Sequence, residues 1–472
     1  MKTQTSEKRL AAKREKEQKE LKKRIKEYEK PMTGKYLWFL MIVLAIVYIV
    51  DELTSSLPSA LQSEVVEEFF VRGMGMDLTT GVAALTGMMS PFYAMLGIAP
   101  FYKALADRYG RRLFLVINTL GMAIGMFICF ASTSIYGYLI GMFIIRFVIP
   151  NDMQVMYIME CAPEKHRAKL CSATKAIALL GVTLVPVFRT VFMGNDGTKW
   201  REVYLIPAVI AAVVGLAALF LLRETPVFLS KRIAHLQKGE NESTAPTEEP
   251  KKKDAAENGG VVQAIKFIFK HKQTRYLAIC ALIFAAGTAV TNYYEPIMKS
   301  GGMTTEQITT AMFFFPFFNA LFTAVGGFIT DAVGRKGSVI IQSVIAAISL
   351  AAFIIASNMG SSPAVVGICY GLFLGTLWSV SDLLFLIMPG ESTPTNLRAS
   401  VIGTMTLMLG LGTAFATILV SVISVFLSHI PLGWLWFTAC VPFMALAIII
   451  LIFKVHETKD NDLNTITGLE WD

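Results

Sequence analysis

Glu160-Cys-Ala-Pro-Glu-Lys-His-Arg167 shares its spacing of Glu, Pro and Arg with Glu391-Ser-Thr-Pro-Thr-Asn-Leu-Arg398, half a chain later. Two further motifs are echoed in the same order around this pair, a Gly-containing basic loop before it and a Glu-Thr dipeptide after it. These echoes are Asp107–Arg112 with Asp331–Lys336, and Glu224–Pro226 with Glu457–Lys459. Three echoes in one order indicate that the chain is a duplicated unit.

The composition indicates that this unit lies in a membrane. The 472 residues are 54% hydrophobic and only 17% charged, whereas soluble domains carry about 25% charged residues. Apolar runs of about 20 residues are long enough to cross about 30 Å of hydrocarbon as helices. We therefore predict an all-α membrane protein of twelve transmembrane helices in two sixes. The predicted spans are 37–60, 79–104, 113–131, 135–158, 170–193 and 202–222, then 274–297, 305–331, 337–356, 362–388, 397–426 and 431–454.

The spans divide the chain into two six-helix halves and three polar segments. Lys and Arg gather in the connections that follow even-numbered spans, so the positive-inside rule predicts that these connections and both termini are cytoplasmic. We expect a multi-pass protein of the cytoplasmic cell membrane, in which the net charge of +8 reflects topology and not nucleic-acid binding. The segments are a basic N-terminal helix or tail (1–36), the first half (37–222), a linker (223–273), the second half (274–454) and a tail (455–472).

Two polar segments have predictions of their own. Residues 1–36 carry Lys and Glu at helical spacing, which fits either a hold on anionic lipid headgroups or a solvated helical tail. Residues 233–260 are polar and poor in apolar side chains, so we expect a flexible linker there.

The sequence carries no signal for an enzyme or a cofactor site. The six cysteines form no Cys-x-x-Cys pair, and the sequence has no phosphate-binding Gly-rich loop followed by Lys and Ser or Thr. We therefore expect no metal, no cofactor and no ATP-driven engine.

The duplicated motifs resemble those of the major facilitator superfamily, in its sugar-porter-like or organic-ion-transporter-like branch. Arg223–Leu229 is similar to the element that closes the first half of sugar-porter-like members. The resemblance covers about 37–460 and implies two pseudo-symmetric six-helix halves that expose a central site alternately to the two sides. The chain departs from the family pattern at Lys103, usually Gly, and at Ala332, where the second loop lacks its first Arg.

The charged motifs predict a cytoplasmic latch, because carboxylates and guanidiniums at helix ends form charge-assisted pairs that can break in one of two conformations. The positive-inside rule alone would explain the basic residues of these motifs but not their acidic residues. The resemblance adds Tyr293 and Tyr294 as an aromatic gate at the outer end of the seventh span. The predicted latch residues are Asp107, Arg108, Arg111, Arg112, Glu160, Arg167, Asp331, Arg335, Glu391 and Arg398.

Charges inside the spans predict proton coupling, since an ionisable group at mid-membrane is costly and is by default functional. Asp51 and Arg146 stand where proton-coupled sugar-porter-like members carry an aspartate and an arginine, so the resemblance implies a titrating pair. A static salt bridge is the alternative, and Glu52 could be the titrating group instead.

The substrate prediction depends on departures from the sugar-carrier pattern. Lys175, Ala285 and Ala286 stand where the resembled carriers present Gln. Lys175 and Arg189 together predict a cationic cavity for a small organic anion. Alternatively, Lys175 pairs with Asp152, Glu160 or Asp382, and Arg189 reaches the outer headgroups. Asn151, Asp152, Asn292, Trp378 and Asp382 complete the predicted substrate site.

We therefore expect a monomeric secondary transporter in the lipid bilayer that imports a small carboxylate-type molecule with protons as the coupling ion. A proton-coupled sugar or polyol symporter and an efflux antiporter are the alternatives. A transporter-like nutrient receptor would keep the fold without turnover.

Overall fold

The structure is a computed structural model. It describes residues 15, 18–30, 32, 34–93, 95, 102, 105–106, 108–149, 153–162, 167–194, 197–242, 261–394, 397–427 and 429–459.

The first half is built of helices that follow the predicted apolar runs. A short polar helix precedes them and an amphipathic one follows them. In chain order they are α1 (18–28), α2 (Lys35–Ala60), α3 (Gln62–Val66), α4 (Leu78–Tyr93), α5 (Arg111–Ala131), α6 (Ile135–Val148), α7 (Met153–Cys161), α8 (Arg167–Gly181), α9 (Leu184–Phe192), α10 (Glu202–Leu221) and α11 (Pro226–Glu242).

The second half repeats this plan. Its helices are α12 (Val261–Lys270), α13 (Lys272–Thr288), α14 (Tyr294–Ser300), α15 (Thr305–Asn358), α16 (Pro363–Asp382), α17 (Met388–Glu391), α18 (Arg398–Phe426) and α19 (Leu432–Lys454). Short 3₁₀ and π turns, Ala289–Asn292 and Leu383–Ile387, lengthen α13 and α16.

The predicted twelve-span architecture is confirmed. Ten described helical stretches are long and apolar enough to cross a bilayer. One of them, α15, holds two spans, because Gly334 has non-helical angles (φ 84°, ψ 174°) that break it. The second predicted span contains α4, and its remaining residues fall largely outside the described part of the chain.

Close backbone contact joins the first span of α15 to α16. Gly367, Gly371 and Gly375 recur every four residues on α16, and the position of a Cβ at each would lie under 3.0 Å from the backbone at Ala311, Phe315 and Asn319 respectively. Small residues in such a stripe let two membrane helices pack through their backbones. This pair therefore forms a rigid unit of the second half.

We call the end of the bundle that carries Gly110, Glu160, Gly334 and Glu391 the motif end, and the opposite end the far end. Several described contacts between the halves lie toward the far end. Ser421 on α18 donates its hydroxyl to the carbonyl of Ala83 on α4 at 2.8 Å. Lys299 on α14 pairs with Glu67, which follows α3, at 3.2 Å.

Two polar segments contain helix in the structure. The helix α1 packs on one side against the segment that follows α10. Leu21 is 8% exposed. Nε of Arg232 on α11 lies 3.0 Å from a carboxylate oxygen of Glu20. Glu27 accepts the backbone N–H of Glu224 at 2.9 Å. Residues 233–242, predicted as part of a flexible linker, are helical instead, because α11 continues to Glu242. Residues 243–260 lie outside the described part.

Candidate functional site

The first-half motifs meet in one network at the motif end. Arg111 binds the Glu160 carboxylate through Nη2 at 2.9 Å and through Nε at 3.1 Å. The second Glu160 oxygen accepts the Thr225 hydroxyl at 2.5 Å. Glu224 accepts the backbone N–H of Arg111 at 2.9 Å and that of Arg112 at 3.2 Å. The start of α5 is thus held by a carboxylate, which its unpaired N–H groups and its dipole favour.

The second half repeats these bonds residue for residue. Arg335 binds Glu391 at 3.0 Å, and Glu391 accepts the Thr458 hydroxyl at 2.6 Å. Glu457 accepts the backbone N–H of Arg335 at 2.9 Å and that of Lys336 at 3.0 Å. All three sequence echoes therefore belong to one duplicated site.

The two copies differ in the environment of one acid. Burial raises the pKa of Glu224 despite the N–H bonds from Thr225, Arg112 and Arg111. Burial of Glu457 is weaker, and backbone N–H donors led by that of Lys459 hold the pKa of this carboxyl below its ordinary value.

Gly110 and Gly334 make this geometry possible. Their φ angles are +117° and +84°, a region that side chains rarely adopt. A Cβ on Gly110 would collide with the Glu224 carboxylate, and a Cβ on Gly334 would lie 2.7 Å from Oε2 of Glu457. Glycine thus serves both the turn and the close approach of the acid.

The remaining predicted latch residues are less tightly held. The Arg112 guanidinium donates to the carbonyl of Leu219, and the Arg108 guanidinium lies 5.4 Å from the Tyr109 ring centre. Asp331 is 3.9 Å from Arg335 with its side chain 85% exposed. Arg398 donates to the carbonyl of Thr393 at 3.4 Å. Asp107 lies outside the described residues, and Arg167 begins α8 without a described side chain.

The predicted proton-coupling pair does not meet in this structure. Asp51 is 8% exposed and accepts the Gln154 amide at 2.9 Å. The Arg146 guanidinium lies 4.9 Å from the centre of the Tyr93 ring. Within the described side chains, the ion pairs under 4.0 Å do not include Asp51 with Arg146. Glu52 is half-buried one residue after Asp51.

Arg146 lines a cavity between the two halves. The cavity is bounded by Gln62, Tyr93 and Arg146 of the first half and by Asn292 and Tyr293 of the second. Its polar lining offers amide and hydroxyl groups, which donate and accept hydrogen bonds. Nε of Arg146 has no hydrogen-bond partner among the described residues.

The two tyrosines predicted to form an aromatic gate pack against other aromatic rings. Tyr293 stacks on Trp436 with ring centres 4.1 Å apart. Tyr294 lies 4.9 Å from the Tyr370 ring and 5.3 Å from the Phe315 ring. Both tyrosines are buried.

The predicted substrate residues Lys175, Trp378 and Asp382 are described but do not line this cavity. Lys175 is exposed, and Asp382 is half-buried and near enough to feel the Lys175 charge. Trp378 is 39% exposed. Asn151 and Asp152 lie outside the described residues.

Arg189, the second predicted cation, is buried at the far end and compensated. Its Nη2 lies 2.9 Å from Oε1 of Glu64. Glu295 is buried beside this pair and accepts the backbone N–H of Ser63 at 2.7 Å. Sequence reasoning missed this cluster because its members come from distant parts of the chain. The signal available in the sequence was a pair of acids, Glu64 and Glu295, that lie at the ends of apolar runs.

Comparisons with known proteins identify the family and the fold. The sequence profile of the Major Facilitator Superfamily matches residues 37–417. The glucose transporter GlcP of Staphylococcus epidermidis is 24% identical over 385 residues, 77% of this chain and 83% of that protein. The arabinose-proton symporter of Bacillus subtilis is 25% identical over 342 residues, 66% of this chain and 71% of that protein.

Solved structures share the fold. A crystal structure of a D-xylose-proton symporter superposes with a TM-score of 0.68 at 16% identity, covering 90% of this chain and 99% of that one. The inward-open xylose transporter XylE from E. coli gives a TM-score of 0.64 at 18% identity, covering 93% and 100%.

Proposed function

Because the chain belongs to the Major Facilitator Superfamily, and so is a membrane transporter and not an enzyme, we propose that it is a proton-coupled symporter of a neutral sugar or polyol. Its relatives include a glucose transporter and an arabinose-proton symporter. Such a carrier needs no cofactor besides the coupling protons. We further propose that it works as a monomer in the cytoplasmic membrane with the motif end and both termini inside, as the Lys and Arg distribution favours.

The sugar proposal is carried by the relatives that transport sugars, and the lining of the small cavity agrees with it. Gln62, Asn292 and the tyrosines offer paired donors and acceptors beside aromatic faces, which suits a molecule with many hydroxyls. Arg189 supplies no charge there, since Glu64 neutralises it at the far end. One of the two cations behind the organic-anion prediction is therefore already paired.

An organic anion remains the second candidate because of Arg146. This guanidinium lines the cavity and has an Nε without a partner among the described residues. A carboxylate there would gain a charge-assisted bond.

A thermal-shift screen of the purified carrier distinguishes the two candidates, since a ligand that binds only the folded state raises its stability. We expect melting temperature to rise with a hexose, pentose or polyol and not with the corresponding sugar acids. Uptake of the stabilising ligand into proteoliposomes whose interior is more alkaline than the outside then tests coupling to protons. A rise with carboxylates alone would replace the sugar proposal by the anion one.

The coupling role proposed for Asp51 has its own test. Asp51→Asn keeps the hydrogen bond from Gln154 but removes the titrating group, so we expect loss of accumulation driven by a pH gradient with exchange across the membrane retained. Glu52→Gln is the matched neighbour and should leave accumulation intact. If the Asp51→Asn variant still accumulates substrate when a pH gradient is applied, another group couples transport to protons.

A further inference from the structure

Three buried charges join the two halves at the far end. Glu64 and Arg189 belong to the first half and Glu295 to the second, and their exposed fractions are 2%, 1% and 0%. The guanidinium also donates to Thr309 of α15 at 3.1 Å and to the carbonyl of Ala60. The cluster is therefore part of the contact that closes the far end.

The charges of this cluster do not balance. Arg189 donates to both oxygens of Glu64, at 2.9 and 3.4 Å. Glu295 accepts the Ser63 amide through Oε2, while its Oε1 is buried without a partner among the described residues. One cation thus stands against two carboxylates in a site without water access, and an uncompensated buried charge is strongly unfavourable.

Neighbouring bases do not supply the missing charge. Lys299, one turn further along α14, is engaged with Glu67 at 3.2 Å, and both side chains remain partly exposed. Among the residues that the structure describes, the charged groups that face Glu295 are Glu64 and Arg189. A proton on the buried, unpartnered Oε1 of Glu295 would balance the charge of the cluster.

We propose that Glu295 is a proton-binding site that links protonation to closure of the far end. In the open state its carboxylate would be hydrated, and in the closed state it would carry a proton taken from the solvent on that side, so that the cluster becomes neutral. Two states that bind a ligand with different affinity are shifted by that ligand. This inference deepens the proposed coupling to protons and rests on it, but it concerns a second carboxyl, remote in sequence from Asp51.

The test measures the far end directly and needs no substrate. In a variant without native cysteines, spin labels are attached at Met74→Cys and Met359→Cys, which are exposed positions on opposite halves. Pulsed electron paramagnetic resonance then measures the distance between the two labels, and so the separation of the halves. We expect the closed-distance population to rise as the pH falls from about 8 to about 5. Glu295→Gln should be closed throughout, with the pH slope lost.

Two further variants keep the test decisive. Glu64→Gln leaves Arg189 free to pair with Glu295, so the balance of charge predicts loss of the pH slope here too, even if Glu295→Gln does not fold. Glu67→Gln removes a cross-half acid that already has its own lysine, so it should lower the closed population while the slope remains. An unchanged slope in Glu295→Gln, or no slope in the parent protein, would overturn the proposal. If the closed population depends on pH but the protein transports no sugar, the sugar proposal is wrong and the Glu295 proposal stands.

Discussion

At the residue scale, Gly110 shows how one missing side chain positions a carboxylate. Gly110→Ala would combine an unfavourable φ of +117° with a collision against Glu224. We expect a loss of about 2–4 kcal/mol of stability, from backbone strain and a weakened buried hydrogen bond. Thermal unfolding in detergent measures it. Gly75→Ala is the control, since Gly75 also has a positive φ but open space around it. Equal losses in the two variants would show that the carboxylate contact contributes nothing.

The same scale separates what the sequence predicts from what it does not. Glu160, Arg111 and Thr225 were identifiable because each has an echo in the second half, and repetition marks a shared contact. Arg189 has no such echo, and its isolated charge suggested a substrate anion. Its partner Glu64 is 125 residues away, and only the packing of α9 beside the end of α2 and the start of α3 brings them together.

At the element scale, α1 docks on the polar surface that follows α10. We expect Leu21→Ala to loosen this docking, because Leu21 is the buried apolar side chain of α1 and its truncation costs on the order of 2 kcal/mol. Chymotryptic cleavage after Tyr28, which is 50% exposed, should accelerate.

Lys22→Ala is the matched control for this prediction, since Lys22 is the exposed neighbour on the same helix. It should leave the cleavage rate unchanged. The Lys/Glu pattern of residues 1–36 predicts a helix, and the described residues 18–28 are helical. The pattern cannot predict the docking, because the same acid can pair within α1 or with another helix. Glu20, for example, lies near both Arg24 of α1 and Arg232 of α11.

At the scale of the whole molecule, the contact between α4 and α18 must open if the far end is to open. A Cβ on Gly87 would lie 3.8 Å from Cβ of Ser421, the usual Cβ separation across a disulfide. In a background without native cysteines, Gly87→Cys with Ser421→Cys should therefore cross-link under mild oxidation and stop uptake.

Reduction should restore uptake, and each single variant should be insensitive to oxidant. If the cross-linked carrier still transports, the two helices do not need to separate. The overall bundle was predictable from apolar runs and repeats, whereas the end at which the halves touch was not, because both conformations of such a bundle bury similar surfaces of the same spans.

The docking of α1 also has a consequence for how the chain is made. The hydrogen bond from the Glu224 amide to Glu27 joins residues 197 positions apart. At about 5–20 residues per second, the ribosome needs about 10–40 s to make that stretch. The first helix therefore waits undocked while a complete six-helix half is synthesised, and its docking marks the moment at which that half is finished.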